Sequence, residues 1–266
     1  MDYVKIAGVE LSRLLVGGNP FSGFSHQGQQ RDEEMVHYYS AANIKKVLFD
    51  AEKLGLTGFV ARTDVHILRV LIEYRDEGGK LKWLGQTAPE VGPPEVSIER
   101  AAAHGATGCH IHGGVVDNLL ANNKGDELKR AVDLLRRKKL LAGVAGHKPA
   151  IFEWAEKNVD ADYYMCCYYN PIPREKRPEH VQGSEELFRQ EDRKAMTDLI
   201  QTLSKPVIHY KILAAGRNDP EQAFAFACQK MRPRDLALIG VFPKDNPEML
   251  RQDVRLFEKH SSAREF

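Results

Sequence analysis

The sequence predicts an α/β protein with a single domain, a closed (β/α)8 TIM barrel spanning residues 1–266. Strand-like apolar runs and helix-like amphipathic segments alternate along the whole chain, which is typical of parallel strands joined by helical crossovers. Eight such pairs can be counted, and 266 residues is about the length of one barrel of this kind. An open, doubly wound sheet is the alternative.

The strands are predicted from short apolar runs that end in glycine or in polar residues. Such runs are typical of parallel strands, which are buried on both faces. Adjacent Cys166 and Cys167 lie in the sixth run, within a tyrosine-rich stretch. The predicted strands are 12–19, 57–62, 81–86, 108–112, 140–146, 162–169, 206–211 and 236–242.

The helices are predicted from their start and stop signals. Ser40 suits the N-cap of a helix that Gly55 ends, and Pro149 suits the first turn of another. The predicted helices are 40–54, 67–76, 93–104, 125–138, 149–158, a segment ending near 204, 220–230 and 246–260.

Two predicted loops are longer than packed connections require. The first covers 20–39, and the second covers 171–186 and contains His180. Long polar loops at the mouth of a barrel can close over a substrate and exclude water. We therefore predict that both act as lids.

The composition excludes several functional classes. Lys plus Arg number 38 against 37 Asp plus Glu, a net charge of +1, so no basic surface for nucleic acid or an anionic membrane is expected. No apolar run is long enough for a membrane span, and the N-terminus does not resemble a signal peptide. The four cysteines lack C-x-x-C spacing, which favours reduced thiols in a cytoplasmic protein. With nucleic acid and membranes excluded, we expect the partner to be a small-molecule substrate.

Polar residues cluster where the predicted strands end. The active sites of such barrels lie at the C-terminal ends of the strands, and polar groups on buried strands are costly unless they are used or paired. Five of the ten histidines fall in this set. The set comprises Asn19, Arg62, Asp64, His66, Gln86, Thr87, His110, His112, His147, Lys148, Tyr169, Asn170, His209, Lys211 and Lys244.

A metal site is one interpretation of these residues. His110 and His112 are two apart, so on a strand they point to the same face, and two imidazoles can supply half of a metal site. Asp64 and His66 would complete the shell around a divalent transition metal such as Zn, Mn, Ni or Fe.

A metal-free acid/base site is the other interpretation, with His112, His147 and Lys211 as proton carriers. Lys211 could also form a Schiff base with a carbonyl substrate. Arg62 and Lys211 would hold an anionic or carbonyl oxygen.

Several segments resemble the aldo/keto reductase superfamily. They are 9–19 (its opening strand), Ile111-His112-Gly113 (its fourth strand, with the catalytic histidine), 142–149, 168–171, 213–217 and 240–256. The resemblance implies a (β/α)8 barrel, a catalytic role for His112 and NADPH as cofactor. It also implies that Tyr210 stacks on the cofactor ring and that Lys244 contacts a phosphate.

The remaining catalytic groups of that family are not matched. Residues 61–64 read Ala-Arg-Thr-Asp where the family has its aspartate, and His66 lies near the position of its tyrosine. Thr87 replaces its lysine, Ala145-Gly146 replaces its Ser-Asn pair, and Cys166 replaces its glutamine. The resemblance therefore implies changed chemistry on an inherited fold.

Three functional hypotheses follow. The first is a lyase, isomerase or hydrolase of non-standard chemistry, acting with or without a metal on a small oxygen-rich or sugar-like substrate. The second is NADPH-dependent carbonyl reduction in a rebuilt site. The third is a barrel that binds a ligand without turnover. The sequence assigns no oligomeric state.

Overall fold

The chain opens with an antiparallel hairpin that the sequence patterns did not predict. The computed structural model describes residues 1–179 and 186–262. Strands β1 (Tyr3–Ile6) and β2 (Val9–Ser12) pair across a two-residue turn in which Ala7 and Gly8 have positive φ values of 44° and 87°. The predicted first strand, 12–19, therefore begins too early, because Ser12 belongs to the hairpin and β3 covers Leu14–Gly17.

Eight parallel strands close into a barrel, which confirms the predicted fold class. The strands follow chain order around the barrel, and the last pairs with the first, so no sheet edge is left open. They are β3, β4 (Gly58–Arg62), β5 (Lys82–Gln86), β6 (Gly108–Ile111), β7 (Leu141–Gly146), β8 (Tyr163–Cys167), β9 (Val207–Tyr210) and β10 (Leu236–Ile239).

Apolar side chains fill the barrel interior. Residues that point inward from the strands form one cluster, to which the hairpin contributes fully buried Ile6 and Leu11. The hairpin thereby covers the N-terminal end of the barrel, and the C-terminal end is left for a ligand. The other members of the cluster are Leu15, Val60, Leu84, Leu141, Ala145, Tyr163, Met165, Ile208 and Leu236.

The helices lie outside the strands and bury one face against them. Ser40 and Asp219 cap helices through their side chains, as the sequence predicts for Ser40. The helices are α1 (Gln29–Tyr38), α2 (Ala41–Lys53), α3 (Val65–Asp76), α4 (Pro94–Ala103), α5 (Gly113–Ala121), α6 (Gly125–Arg137), α7 (Pro149–Asn158), α8 (Gln190–Ile200), α9 (Pro220–Lys230) and α10 (Met249–Ser262). Among the described residues, none of the helices is long and apolar enough to cross a membrane.

Two of these helices fall where the sequence predicts loops. Helix α1 occupies half of the predicted first lid, and it was missed because it is polar and buries only Asp32 and Met35. Helix α5 follows β6 directly, and it was missed because its first two residues are Gly113 and Gly114. Of the predicted second lid, 180–185, including His180, lie outside the described residues, and 171–179 contain neither helix nor strand.

Candidate active site

The C-terminal ends of the strands surround two adjoining cavities. The smaller has a volume of about 320 Å³ and the larger about 480 Å³. Both are in the size range of small-molecule sites. The two share Asn19, Phe24, His26, Gln86, Met165, Tyr210 and Lys211 in their walls.

His147, in the wall of the smaller cavity, forms a buried dyad with Asp117. His147 follows β7 and is 8% exposed, and Asp117 on α5 is 4% exposed. Asp117 Oδ2 lies 2.5 Å from His147 Nδ1, and Oδ1 accepts a hydrogen bond of 3.2 Å from the backbone N–H of His147. Because a carboxylate can only accept, it holds the ring proton on Nδ1 and leaves Nε2 as an acceptor. The Tyr210 hydroxyl lies 3.4 Å from that Nε2.

Gly113 allows this arrangement. A Cβ atom at Gly113 would lie 2.8 Å from His147 Cε1 and 3.2 Å from the Tyr210 hydroxyl. Any side chain here would therefore push apart the ring and the phenol, which explains why α5 begins with glycine despite its low helix propensity.

His112 lies beside the dyad, between β6 and α5. Its backbone N–H donates to Thr87 Oγ1 at 2.8 Å, which fixes the turn out of the strand. Its Nδ1 is buried without a hydrogen-bond partner among the described residues. Burial, reinforced by the nearby Arg62 guanidinium, holds the pKa of His112 well below its usual value. The ring is therefore neutral, and His112 forms part of the wall of the smaller cavity.

Two buried guanidinium groups lie in the wall of the smaller cavity, which Glu90 and Glu179 also line. Arg62 is 4% exposed, is ion-paired with Glu90 and lies 3.6 Å from Asp64 Oδ2. Arg174 is 5% exposed and donates to the Pro178 and Glu179 carbonyls, so no carboxylate neutralises it through a hydrogen bond of the described residues. Burial lowers the pKa of Arg62 to about 10 and also lowers that of Arg174. Both groups remain charged near neutral pH and favour an anionic ligand.

Lys211 lies in the wall that the two cavities share. Its side chain is 10% exposed, and Nζ lies 3.7 Å from Glu186 Oε2 and 3.4 Å from His26 Nδ1. Burial is the main cause that lowers the pKa of Lys211. Its backbone is left-handed, with φ of 57°, a conformation that costs energy outside glycine and is often found at functional sites.

The residues predicted to bind a metal are not brought together. His110 is fully buried, its Nδ1 lies 3.4 Å from the Tyr163 hydroxyl and its Nε2 lies 3.4 Å from Gln86 Oε1. Asp64 caps α3 through the N–H of Ile67, and His66 is exposed on that helix. Within residues 1–179 and 186–262, no group of three or more His, Cys, Asp or Glu side chains could hold a metal ion. The predicted metal site is therefore not formed by these side chains.

The two residues predicted to hold NADPH lie at and beside the larger cavity. Tyr210 lines both cavities, and Lys244 is exposed next to Asp245, which lines the larger one. His209, another residue at a predicted strand end, is fully buried between Tyr168 and Asp235, where it supports the barrel wall.

Four residues of the site were missed in the sequence: Asp117, Arg174, Glu186 and His26. Asp117 could have been noticed as the one charge within the apolar segment 113–121. The other three lie in the two predicted lids, where polar residues are ordinary. Asn118 on α5 donates to the carbonyls of Arg174 and Glu175, so one helix positions both the dyad and one guanidinium.

Comparison with known proteins identifies the fold. No family model and no curated protein matches the chain. A protein classed as an aldo-keto reductase from Pseudomonas aeruginosa is 16% identical with a TM-score of 0.65, over 97% of this chain and 95% of that one. An aldo-keto reductase from Bacillus halodurans is 10% identical with a TM-score of 0.61, over 98% and 94%. An N-acetylmannosamine-6-phosphate 2-epimerase from Clostridium perfringens is 15% identical with a TM-score of 0.56, over 90% and 92%. These matches confirm the (β/α)8 barrel fold, which the chain shares with the two aldo-keto reductases and with the epimerase.

Proposed function

We propose that this aldo/keto reductase-like barrel is an enzyme that transfers a proton to and from a small anionic, oxygen-rich substrate, as an isomerase or a lyase does. The observation that carries the proposal is the buried His147–Asp117 dyad, with its Nδ1–Oδ2 distance of 2.5 Å and its Nε2 beside the Tyr210 hydroxyl. A histidine fixed by a carboxylate in this way is suited to act as a general base and then as a general acid.

The proton transfer would begin at His147 Nε2. This nitrogen removes a proton from a carbon next to a carbonyl group, and the electron pair moves onto the carbonyl oxygen to give an enolate. Return of the proton to the former carbonyl carbon completes an isomerisation, provided that the first carbon carries a hydroxyl group whose proton passes to the enolate oxygen as its own C=O bond forms. Loss of a hydroxide from the next carbon, with a proton from Tyr210 or His147, completes the elimination of water. Neither outcome needs an oxidant or a reductant.

The charges around the smaller cavity suit the enolate. Arg62 and Arg174 bind the anionic group of the substrate, and Lys211 lies in the wall of the same cavity. The neutral ring of His112 can donate one hydrogen bond to the developing oxyanion, as uncharged donors do in other oxyanion sites. The volume of about 320 Å³ limits the substrate to a small metabolite.

A deuterium-exchange screen tests the proposal and does not require the product to be identified in advance. The full-length protein is incubated in heavy water with a panel of small ketoses, hydroxyaldehydes and keto acids, and loss of each C–H signal is followed by NMR. Exchange or conversion should occur for at least one compound. It should fall by about a hundredfold or more in His147→Gln and Asp117→Asn.

The matched control is His104→Gln, a half-buried histidine at the end of α4 that lines neither cavity. This variant should keep full activity. Undiminished turnover in His147→Gln would rule out the proposed base. Tight binding of a panel compound without any exchange or conversion would identify a non-catalytic ligand-binding barrel instead.

NADPH-dependent carbonyl reduction is the second candidate, favoured by the larger cavity beside Tyr210. The polar groups of that cavity fit a dinucleotide phosphate poorly. Asp245 and Asp253 line it, Arg31 is ion-paired with Asp245 and Glu34, and Lys244 is exposed outside it. Quenching of NADPH fluorescence at micromolar protein concentration would nevertheless restore this candidate.

A further inference from the structure

The larger cavity contains a buried carboxyl group that the proposed chemistry does not use. Asp253 lies on α10, is 4% exposed and forms part of the cavity wall. Its Oδ2 is buried and has no hydrogen-bond partner among the described residues. A carboxyl group in this position is costly unless something pairs with it.

The surroundings of Asp253 are mainly apolar. Burial alone raises the pKa of Asp253 to about 7, and no cation is among its causes. Arg31, which also lines the cavity, is ion-paired with Asp245 and Glu34. Lys211 is close to Glu186. The apolar side chains of the wall include Met35, Leu213, Leu238, Val241, Phe242 and Met249.

We propose that the larger cavity is a binding site for an apolar organic amine whose ammonium group is held by Asp253. The apolar wall takes the body of the ligand, and the ammonium group supplies the donor that Asp253 lacks. The carboxyl groups of Asp253 and Asp245, which both line the cavity, repel an anionic ligand. The dinucleotide implied by the family resemblance is therefore not the ligand we expect. This site is distinct from the His147–Asp117 dyad.

Three probes of nearly equal size test the proposal: 2-phenylethylamine, 2-phenylethanol and phenylacetate. Binding to the full-length protein is measured by isothermal titration calorimetry, with NADPH as a fourth ligand. The amine should bind at least about tenfold more tightly than the alcohol, and phenylacetate should bind most weakly. In Asp253→Asn, which removes the charge with little change of shape, the amine should lose that advantage.

Two controls separate this site from the rest of the molecule. Asp198→Asn changes an exposed carboxylate on α8 and should leave amine binding unchanged. His147→Gln should also leave amine binding unchanged. The proposed amine site and the proposed proton transfer can therefore be refuted independently of each other. Thermal unfolding verifies that Asp253→Asn is folded. Absence of amine binding, amine binding that survives Asp253→Asn, or tighter binding of phenylacetate or NADPH would overturn the proposal.

Discussion

Replacing Asp117 with asparagine should move the ring proton of His147 from Nδ1 to Nε2. The carboxylate serves two donors with its two oxygens, the Nδ1–H at 2.5 Å and the backbone N–H of His147 at 3.2 Å. An amide has only one acceptor oxygen. The backbone N–H cannot give up its proton, whereas an imidazole can shift its own. Asparagine therefore satisfies both groups when its oxygen faces the backbone and its NH2 group donates to Nδ1.

The size of the effect follows from the hydrogen bond that is lost. A hydrogen bond to a charged group contributes roughly 1.5–3 kcal/mol, and each 1.4 kcal/mol is about a factor of ten in a population. In the wild type, the Nδ1–H tautomer should therefore exceed the other by about ten- to a hundredfold. In Asp117→Asn the ratio should invert, and Nε2 can no longer accept a proton from a substrate.

Two-bond ¹H–¹⁵N correlation spectra of labelled protein distinguish the two tautomers without any substrate. His147→Gln identifies the signals of His147 by their loss. His104 is the internal control, because its Nδ1 lies 2.8 Å from the Arg100 carbonyl and should keep its proton in both proteins. The reasoning is refuted if His147 carries its proton on Nε2 in the wild type, or if Asp117→Asn leaves the spectrum of His147 unchanged.

Three further predictions concern stability. Asp235→Ala should destabilise the protein by roughly 3–5 kcal/mol in urea unfolding, because the fully buried carboxylate pairs with Arg232 and His209 and accepts a hydrogen bond from the Val207 N–H. The control, Asp198→Ala at an exposed carboxylate, should barely change the midpoint. Equal destabilisation by the two substitutions would contradict the prediction. Gly143→Ala should cost about 1–3 kcal/mol, because its Cβ would lie 2.6 Å from His110 Cβ and against the Tyr163 ring; an unchanged melting temperature would argue against that packing. Because the folded-state pKa of Asp253 is raised to about 7 from 3.8, the folded protein binds more protons than the unfolded chain between these pH values, and this group lowers stability as the pH rises. Asp253→Asn should therefore gain on the order of 3–4 kcal/mol relative to wild type between about pH 4 and pH 8, and a difference that does not vary with pH would exclude the shift.

The barrel could be predicted because its strands are continuous apolar runs, a pattern that does not depend on tertiary contacts. The opening hairpin could not, because each strand has only four residues and the Ala7-Gly8 turn lacks the usual Asn-Gly signal. Helix α5 was hidden by the Gly113-Gly114 pair, whose lack of side chains is needed for the approach of His147 and of the Pro178 carbonyl.

The site was predictable only in part, and for a similar reason. His112 and His147 follow strands, and the ends of parallel strands converge in any barrel, so their proximity followed from the fold. Asp117 comes from a helix that was not predicted. Asp64 and His66 failed as metal ligands because α3 begins at Val65, so that Asp64 caps the helix and His66 turns to solvent.

The shared wall between the cavities has a thermodynamic consequence. Tyr210 faces the dyad on one side and the larger cavity on the other, and Lys211 beside it holds a strained backbone. A ligand that shifts Tyr210 from either side changes the free energy of binding on the other. Any such coupling must be reciprocal: the factor by which an occupant of the larger cavity changes the affinity for the substrate equals the factor by which the substrate changes the affinity for that occupant.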